Sequence, residues 1–343
     1  MPIPTAVGLD VGGTKIAGGL VTAAGEVLHR LSPIPTPDDQ SEIVRTLCRA
    51  VEQLRREYPQ VAAVGVGAAG LVDWPSGQIR WGANNAFLRL PLRDLLAEAS
   101  GLPTVVDNDA NTAAWGEARH AALSDLAFLT VGTGVGGGLI VRDRLYRGQT
   151  GIAAEIGHLV VDPEGGQRCG CGNVGCLEAM ASGTALGRYG RAAAMAEPDG
   201  PIATLAGGPE RVTGHTVHEA ALAGDPIARQ LIGRVGRWLG VGIANLVNMF
   251  DFDLVVVGGG LSSVGDLLLD PAREAFEEYV FAPAHRSPTS IVSAQLGPDA
   301  GWIGAARLAL DDLEAGATPD PPSSLGVGEE SLRRPVPPVV STT

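Results

Sequence analysis

The strongest constraint on the fold is a strand–turn–strand pattern, built around glycine and threonine, that occurs twice in the chain. The first copy, V-G-L-D-V-G-G-T-K-I-A-G-G-L-V, covers residues 7–21, and the second, L-A-F-L-T-V-G-T-G-V-G-G-G-L-I-V, covers residues 126–141. Apolar runs on either side of a Gly/Thr turn predict two buried strands joined tightly. Because 343 residues suffice for two domains, the second copy indicates a second pass of the same α/β pattern.

The remaining patterns predict further helices and strands. Apolar side chains at helical spacing predict an amphipathic helix over residues 38–58, and a second helix over 109–120 has Asn108 or Asp109 as its cap. Strands are predicted at 61–69, 104–107, 254–257 and 290–293, and helices at 226–250, 273–280 and 300–313. Residues 314–343 are rich in proline and serine, which predicts a disordered tail.

The glycine turns favour phosphate binding rather than a dinucleotide fold. Residues 132–137 match G-x-G-x-x-G, but the sequence continues as a strand where a Rossmann fingerprint opens a helix. The chain has no G-x-x-x-x-G-K-[ST] motif. We interpret residues 10–14 and 132–136 as two backbone amide nests that grip phosphates from opposite sides, with the G-G-G turn at 258–260 in support.

A metal site is predicted between residues 155 and 178. His158, Cys169, Cys171 and Cys176 have the spacing H-x10-C-x-C-x4-C, a complete ligand set for tetrahedral zinc (Zn²⁺). Glycines at 170, 172 and 175 allow the sharp loop that this set needs. The alternative is three buried cysteines in a glycine-rich turn. A closed four-ligand site is usually structural, so we expect the metal to hold a loop rather than to catalyse.

Composition argues against several classes of partner. A net charge of −13 disfavours nucleic acid and anionic membranes, though not a nucleotide. The first residues show no signal-peptide pattern, and Cys48 has no disulfide partner once the other cysteines bind metal, so we expect a cytoplasmic protein. The 48 glycines predict many loops that turn tightly or approach ligands. Lys15, the only lysine among 25 basic residues, lies in the first glycine turn.

Together these motifs resemble the ROK family of bacterial sugar kinases, within the actin-like ATPase superfamily, and most closely its actinobacterial ATP-dependent glucokinases. The resemblance extends from residue 6 to about 310 and rests on D-V-G-G-T-K, N-D-A-N-T-A-A-W-G-E, G-T-G-V-G-G-G, E-I-G-H, C-G-C-G-N-V-G-C-L-E and V-V-G-G-G. It implies an α/β, actin-like ATPase (ribonuclease H-like) fold with two lobes and a cleft between them. The small lobe is expected at 1–119, completed by helix 300–313, and the large lobe at 120–299. A homodimer or homotetramer is also implied.

The resemblance further implies roles for individual residues. ATP and Mg²⁺ are expected at Asp10, Gly12, Gly13, Thr14, Lys15, Thr133, Gly134, Gly259 and Gly260, with the amides of residues 12–14 facing the phosphates. The sugar is expected at Asn84, Asn108, Asp109, Glu155, His158 and Glu178. Asp109 is expected to be the general base, because phosphoryl transfer needs an acceptor for the hydroxyl proton and a carboxylate at a helix start suits that task. An ordinary helix cap is the alternative for Asp109. We expect one ring nitrogen of His158 to bind zinc and the other to face the sugar.

The resulting hypothesis is ATP-dependent phosphorylation of a hexose, with glucose as the expected substrate. Four residues depart from the close glucokinase pattern at positions expected to line or support the sugar pocket: Ala86, Phe87, Leu177 and Met180. Alternatives are a kinase for N-acetylmannosamine, mannose or fructose, a polyphosphate user, and a sugar-responsive transcriptional regulator of the same family. The regulator is disfavoured by the net charge and by the nine residues before Asp10, where such regulators carry a helix-turn-helix domain.

Overall fold

The structure, a computed structural model, describes residues 3–82 and 85–316. Asn84, predicted as a sugar ligand, lies outside the described residues, as does most of the predicted tail, from residue 317 onward. In the described part of the chain, no helix combines the length and the apolar character needed to cross a membrane.

Strands and helices alternate along much of the chain. The strands are β1 (Thr5–Val11), β2 (Lys15–Thr22), β3 (Val27–Arg30), β4 (Ile34–Pro35), β5 (Val61–Ala68), β6 (Leu71–Asp73), β7 (Gln78–Trp81), β8 (Thr104–Asn108), β9 (Leu126–Val131), β10 (Val135–Val141), β11 (Arg144–Leu145), β12 (Leu254–Gly258) and β13 (Ser290–Ser293). The α-helices are α1 (Gln40–Glu57), α2 (Leu92–Ser100), α3 (Asp109–Ala121), α4 (Leu177–Ala181), α5 (Gly183–Ala196), α6 (Pro201–Ala206), α7 (Gly214–Leu222), α8 (Pro226–Phe250), α9 (Asp266–Tyr279) and α10 (Ala300–Glu314).

The two glycine-turn units each form the centre of a sheet, and the two sheets have the same topology. The first has the order β3-β2-β1-β5-β8, with β4 added beside β2, and the second has the order β11-β10-β9-β12-β13. In both, the three strands of the repeated unit are antiparallel and the last two run parallel to its first strand. The predicted second pass of the α/β pattern is therefore confirmed.

Helices α3 and α10 lie between the two sheets. Their apolar side chains share one core with residues from both: Ala6 and Ala63 of the first sheet, and Phe128 and Val256 of the second, pack in the same cluster as Trp302 of α10. Outside this central layer, α1 and α2 cover the other face of the first sheet, and α4 to α9 build the core of the second lobe. The fold is thus two α/β lobes joined by a shared pair of helices.

Several glycines within strands and helices bring these layers together. A Cβ on Gly8 of β1 would lie 1.9 Å from the carbonyl oxygen of Trp302, and one on Gly65 of β5 would lie 1.8 Å from that of Ala305. A Cβ on Gly304 of α10 would lie 1.7 Å from the carbonyl of Thr112 in α3. The expectation that the glycine excess serves tight turns and ligand loops is therefore only partly right, because part of it serves backbone-to-backbone packing of α10.

The predicted helices and strands are found close to their expected bounds, with one clear difference. Helix α9 begins at Asp266 rather than at 273, and Pro271 lies inside it. Pro271 is the sixth residue of α9, so it removes the hydrogen bond that an amide there would donate to the carbonyl of Leu267, and the helix continues through this loss because it packs against α8. Helix α10 contacts β1, β5 and α3, while the division of the lobes near residue 119 stays a prediction.

Candidate active site

The first predicted phosphate loop connects β1 to β2 through residues 12–14, and Lys15 begins β2. The amide of Gly12 donates to the carbonyl of Lys15 at 3.0 Å and closes the turn. Thr36 supports the loop from outside, since its hydroxyl donates to the carbonyl of Gly12 at 2.8 Å and its amide to that of Thr14 at 3.0 Å. The amide of Gly12 is thus used within the loop, which leaves the other amides of the turn for the expected role at the phosphates. For Gly13 and Thr14, both exposed, that role stays a prediction.

The second phosphate loop, residues 132–134, connects β9 to β10 and is held by the start of α5. The amide of Gly183 donates to the carbonyl of Gly132 at 2.7 Å, and the hydroxyl of Thr184 donates to the carbonyl of Thr133 at 2.7 Å. Thr133 itself is exposed. The two loops therefore have the same local design, a glycine turn between antiparallel strands with a distant threonine fixing its carbonyl groups.

Each of the three glycine turns contains a glycine that protein packing does not require. A Cβ placed on Gly13, Gly132 or Gly260 would meet no protein atom within 4 Å, and none of the three has a positive φ. Gly259 differs, because its φ is +86° and a Cβ there would lie 2.6 Å from the backbone of Val131. Neither protein packing nor a positive φ requires glycine at positions 13, 132 and 260. Glycine there is consistent with a ligand that approaches the backbone closely.

Asp10 and Asp109 form a pair of neighbouring carboxylates at the carboxyl ends of β1 and β8. Burial raises the pKa of Asp10 to about 7, the charge of Asp109 adds to that effect, and Lys15 opposes it. Gly301 of α10 leaves room for this carboxylate, since a Cβ there would lie 2.6 Å from Asp10 Oδ2. A partly buried carboxylate beside a second one is a suitable oxygen ligand for Mg²⁺, which would offset their repulsion.

The corner between β8 and α3 presents Asp109. Asn108 caps α3: its Oδ1 accepts from the amides of Ala110 at 2.8 Å and Asn111 at 3.1 Å, and its Nδ2 donates to the carbonyl of Gly70 at 3.1 Å. The cap is therefore Asn108, one of the two predicted candidates, and its side-chain amide also hydrogen-bonds the carboxylate of Asp109.

Asp109 occupies the first position of α3, where it accepts a hydrogen bond from the amide of Ala110 at 2.9 Å. Burial raises the pKa of Asp109 to about 6, although hydrogen bonds from the backbone and from Asn108 act in the opposite direction. A carboxylate that is ionised near neutral pH and has a pKa close to the working range is well suited to act as a general base.

The second lobe meets this corner through β10 and the turn that follows Glu155. A Cβ on Gly136 would lie 3.1 Å from the Cβ of Ala110, so β10 runs directly against the start of α3. Desolvation raises the pKa of Glu155, the neighbouring His158 opposes this, and the carboxylates of Asp109 and Glu178 reinforce it. The structure thus brings together Asp109, Glu155, His158 and Glu178, and with Asn108 beside Asp109 these are five of the six predicted sugar-binding residues.

The predicted metal ligands form one compact cluster. Ligand atoms of His158, Cys169, Cys171 and Cys176 all lie within 4.8 Å of one another. The Sγ atoms of Cys171 and Cys176 are 3.6 Å apart, and Cys169 Sγ is 3.7 Å from His158 Nδ1. Zn–S bonds of about 2.3 Å at tetrahedral angles place two sulfurs about 3.7 Å apart, so the donor set and its spacing fit zinc.

The loop that carries these cysteines depends on two of the three predicted glycines. Gly172 and Gly175 have φ values of +97° and +75°, whereas Gly170 has no positive φ. A Cβ on Gly175 would also lie 1.7 Å from the carbonyl oxygen of Asp162, so this position tolerates no side chain.

Glu178 connects the cysteine loop to the second phosphate loop, a contact that sequence reasoning missed. Its Oε2 accepts from the amide of Val135 at 3.1 Å, and its Oε1 lies 3.7 Å from Cys169 Sγ. A Cβ on Gly134 would lie 2.2 Å from the same Oε2, which explains the glycine there. No local pattern announces this contact or those of Thr36 and Thr184, because all three join segments far apart in sequence.

The four residues that depart from the glucokinase pattern are all buried: Ala86, Phe87, Leu177 and Met180. Leu177 packs against α8, where a Cβ on Gly242 would lie 2.5 Å from its Cδ2. The sulfur of Met180 accepts from the amide of Gln167 at 3.5 Å. These side chains therefore support the loops around the site from the core.

Comparisons with known proteins agree with the motifs. A family model described as "ROK family" matches residues 6–312. The glucokinase of Streptomyces coelicolor is 40% identical over 311 residues, which cover 89% of this chain and 97% of that protein. The N-acetylmannosamine kinase of Escherichia coli is 36% identical over 310 residues, which cover 89% and 98% of the two chains.

A solved structure, a ROK family glucokinase from Streptomyces griseus in complex with glucose and AMPPNP, is similar with a TM-score of 0.80. It is 41% identical, and the match covers 90% of this chain and 99% of that one. The predicted two-lobed, actin-like ATPase fold is thereby confirmed. Because the family model spans most of the chain and its relatives align from end to end, we conclude that this protein belongs to the ROK family.

Proposed function

We propose that this chain is an ATP-dependent glucokinase that transfers the γ-phosphate of ATP to the 6-hydroxyl of glucose. The observation that carries the proposal is the position of Asp109, a carboxylate with a pKa of about 6 that lies beside Asp10 of the first lobe and beside Glu155 of the second. The glucokinases among its relatives, one of them solved with glucose and AMPPNP, support glucose and ATP as substrates.

In this mechanism Asp109 accepts the proton of the sugar hydroxyl as that oxygen attacks the γ-phosphate. Phosphoryl transfer needs little covalent help from a protein, so the remaining residues position the substrates and balance charge. The loops at residues 12–15 and 132–134 hold the phosphates from the two lobes, and Lys15 contributes the positive charge beside Asp10. Gly259 and Gly260 border the adenosine. Closure of the lobes excludes water from the transfer.

Two metal ions belong to the proposal. Asp10 holds the Mg²⁺ of the MgATP substrate, whose charge neutralises the phosphates. The cluster of His158 and three cysteines holds a structural zinc ion, with the Nδ1 atom of His158 facing the sulfurs. The Nε2 atom of His158 is then left to donate a hydrogen bond to the sugar, and binding of zinc through Nδ1 would fix the orientation of the ring.

The sugar itself is held by Glu155, Glu178, His158, Asn108 and Asn84, because each hydroxyl buried without a partner costs about 1–3 kcal/mol. Glucose is favoured over other hexoses because the glucokinases of Streptomyces coelicolor and Streptomyces griseus are 40% and 41% identical to this chain over most of its length.

A coupled assay of ADP release across a panel of sugars tests the proposal. With MgATP in excess, we expect kcat/KM for glucose to exceed that for mannose, fructose and N-acetylmannosamine by at least about tenfold, since a mismatched polar group in a hydrogen-bonding site is strongly rejected. The Asp109→Asn variant serves as the control for contaminating kinases. A higher kcat/KM for another sugar would contradict the assignment of glucose as the substrate. Replacing ATP by polyphosphate tests the phosphate donor.

We further propose that the protein acts in the cytoplasm as a homodimer or homotetramer, with lobes divided near residue 119. Light scattering coupled to size-exclusion chromatography measures the oligomer directly. A monomer at working concentration would contradict this part of the proposal without affecting the kinase assignment.

A further inference from the structure

A buried ion pair connects the two lobes immediately beside the proposed base. Arg147, just after β11 of the second sheet, donates from Nε to Oδ2 of Asp107 at the end of β8, at 2.6 Å. The side chains of Arg147 and Asp107 are only 10% and 3% exposed. Neither residue was singled out by the sequence, and neither has a part in the mechanism described above.

The aromatic ring of Trp74, in the turn between β6 and β7, completes this contact. The guanidinium carbon of Arg147 lies 3.6 Å from the centre of that ring, a stacked cation–π arrangement. The backbone nearby also meets the first lobe, since the amide of Trp74 donates to the carbonyl of Thr150 at 3.4 Å. A Cβ on Gly151 would lie 2.5 Å from the carbonyl of Val72. Residues 147–151 therefore rest on the β6–β7 hairpin.

The other oxygen of Asp107 organises the corner that presents Asp109. Its Oδ1 accepts from the amide of Asn108 at 2.7 Å and from Nδ2 of Asn111 at 2.9 Å. Asn108 in turn caps α3 through the amides of its first turn. One carboxylate thus receives Arg147 on one oxygen and fixes the β8–α3 corner with the other.

We infer that Arg147 is a positioning residue for phosphoryl transfer, which holds the base through Asp107 and couples its orientation to the approach of the second lobe. The same segment, residues 147–151, leads within four residues to Glu155, so the ion pair also sets the spacing between base and sugar ligand. The inference rests on the proposed kinase function. Both phosphate loops are held by other residues, so loss of Arg147 should lower kcat and leave KM for ATP nearly unchanged.

The test compares four full-length variants with the wild-type protein. They are Arg147→Met, Arg147→Lys, Asp107→Asn and the double variant Asp107→Asn/Arg147→Met. Arg144→Met, an exposed arginine of β11, is the matched control. Removing one partner leaves the other charge buried and unpaired, so we expect kcat to fall about 10- to 100-fold in Arg147→Met, with KM for ATP within about twofold of wild type. Arg147→Lys should recover part of kcat, since it keeps the charge but not the stacked plane.

The double variant separates positioning from general stabilisation. If the two residues act as a unit, the combined loss in kcat is smaller than the product of the single losses. A further variant, Arg147→Ala, tests chemical rescue. Added methylguanidinium should raise its kcat several-fold, whereas sodium chloride at the same ionic strength should not.

Three outcomes would overturn the inference. The first is a kcat of Arg147→Met within threefold of the wild-type value. The second is a loss of kcat in the double variant equal to the product of the two single losses. The third is a fall in kcat that follows a lower Tm and disappears when the assay is cooled. Wild-type protein without activity on any sugar would instead reject the proposed function, so the two failures are distinguishable.

Discussion

The Glu178 carboxylate accepts a hydrogen bond from the backbone amide of Val135 at 3.1 Å, so that one side chain links the cysteine loop to the second phosphate loop. The other carboxylate oxygen lies 3.7 Å from Cys169 Sγ. Glu178 had been expected only to bind the sugar. Its position gives it a second task, because the proposed phosphate loop is held by the segment that carries the predicted metal ligands.

Two substitutions at Glu178 should separate these tasks. Glu178→Gln keeps an acceptor oxygen for Val135 but loses the charge, whereas Glu178→Ala loses both. We expect KM for glucose to rise at least about tenfold in both variants, and KM for ATP to rise only in the alanine variant, since a lost hydrogen bond to a charged group is worth about 1.5–3 kcal/mol. Steady-state kinetics with each substrate varied in turn provide the measurement. Equal KM values for ATP in the two variants would contradict the link.

Gly13→Ala should impair nucleotide binding without harming the fold. No protein atom lies near the added methyl group and φ is not positive, so we expect an unchanged or slightly higher Tm, as when glycine is replaced at a permitted position. KM for ATP should nevertheless rise at least about tenfold, because the methyl group holds the phosphates away from the loop.

Gly233→Ala in α8 is the control for that experiment, since its Cβ would make an ordinary 3.6 Å contact with Pro271 far from the loops. It should leave KM for ATP unchanged. An unaltered KM for ATP in Gly13→Ala would show that the nucleotide does not approach the backbone at Gly13.

Asp109→Asn should lower kcat by about 10²–10⁴ while glucose binding, measured by calorimetry, is largely kept. It should also raise Tm by a few degrees at pH 8. The folded-state pKa of about 6 exceeds the usual 3.8, so ionisation of Asp109 opposes folding; this penalty is complete above about pH 6 and absent below about pH 4. Thermal melts at pH 4.5 and pH 8 should therefore show a clearly larger gain at pH 8. Near-normal turnover would refute the assignment of the base.

The pH dependence of kcat should show an acid limb near pH 6. Asp109 must be ionised to accept a proton, so kcat falls about tenfold per pH unit below its pKa of about 6. Asp10 has a pKa of about 7 without metal, and bound Mg²⁺ lowers it, so low Mg²⁺ should raise KM for ATP more at pH 6 than at pH 8. A kcat that is flat down to pH 5 under saturating substrates would contradict the assignment of Asp109. An Mg²⁺ dependence of KM for ATP that is the same at pH 6 and pH 8 would contradict the assignment of Asp10.

Removing zinc should weaken sugar binding before it unfolds the protein. We expect one zinc ion per chain by elemental analysis, and Cys171→Ser, at the exposed ligand, to lower that content. KM for glucose should rise at least about tenfold, since loss of a ligand's orientation typically costs 10- to 100-fold. Circular dichroism checks that the fold persists. A metal-free, folded protein with an unchanged KM for glucose would show that zinc does not orient His158.

Much of the site could be predicted from the sequence because its signals are local. The H-x10-C-x-C-x4-C spacing, the two glycine turns and the Asn108–Asp109 start of α3 each lie within one short segment, and short segments carry their own geometry. The repeated unit also determined that the chain builds two sheets of one topology. These features depend on turn conformation, ligand spacing and capping, which neighbouring residues dictate.

Only the tertiary structure decided how these segments act on one another. It placed Asp10 beside Asp109, joined Glu178 to Val135, and put Arg147 against Asp107, all across long sequence separations. It also showed that Gly8, Gly65 and Gly304 allow the close packing of α10 against β1, β5 and α3. The physical reason is that burial, charge proximity and close backbone contact arise between segments that the chain brings together only on folding, so no single segment contains their signal.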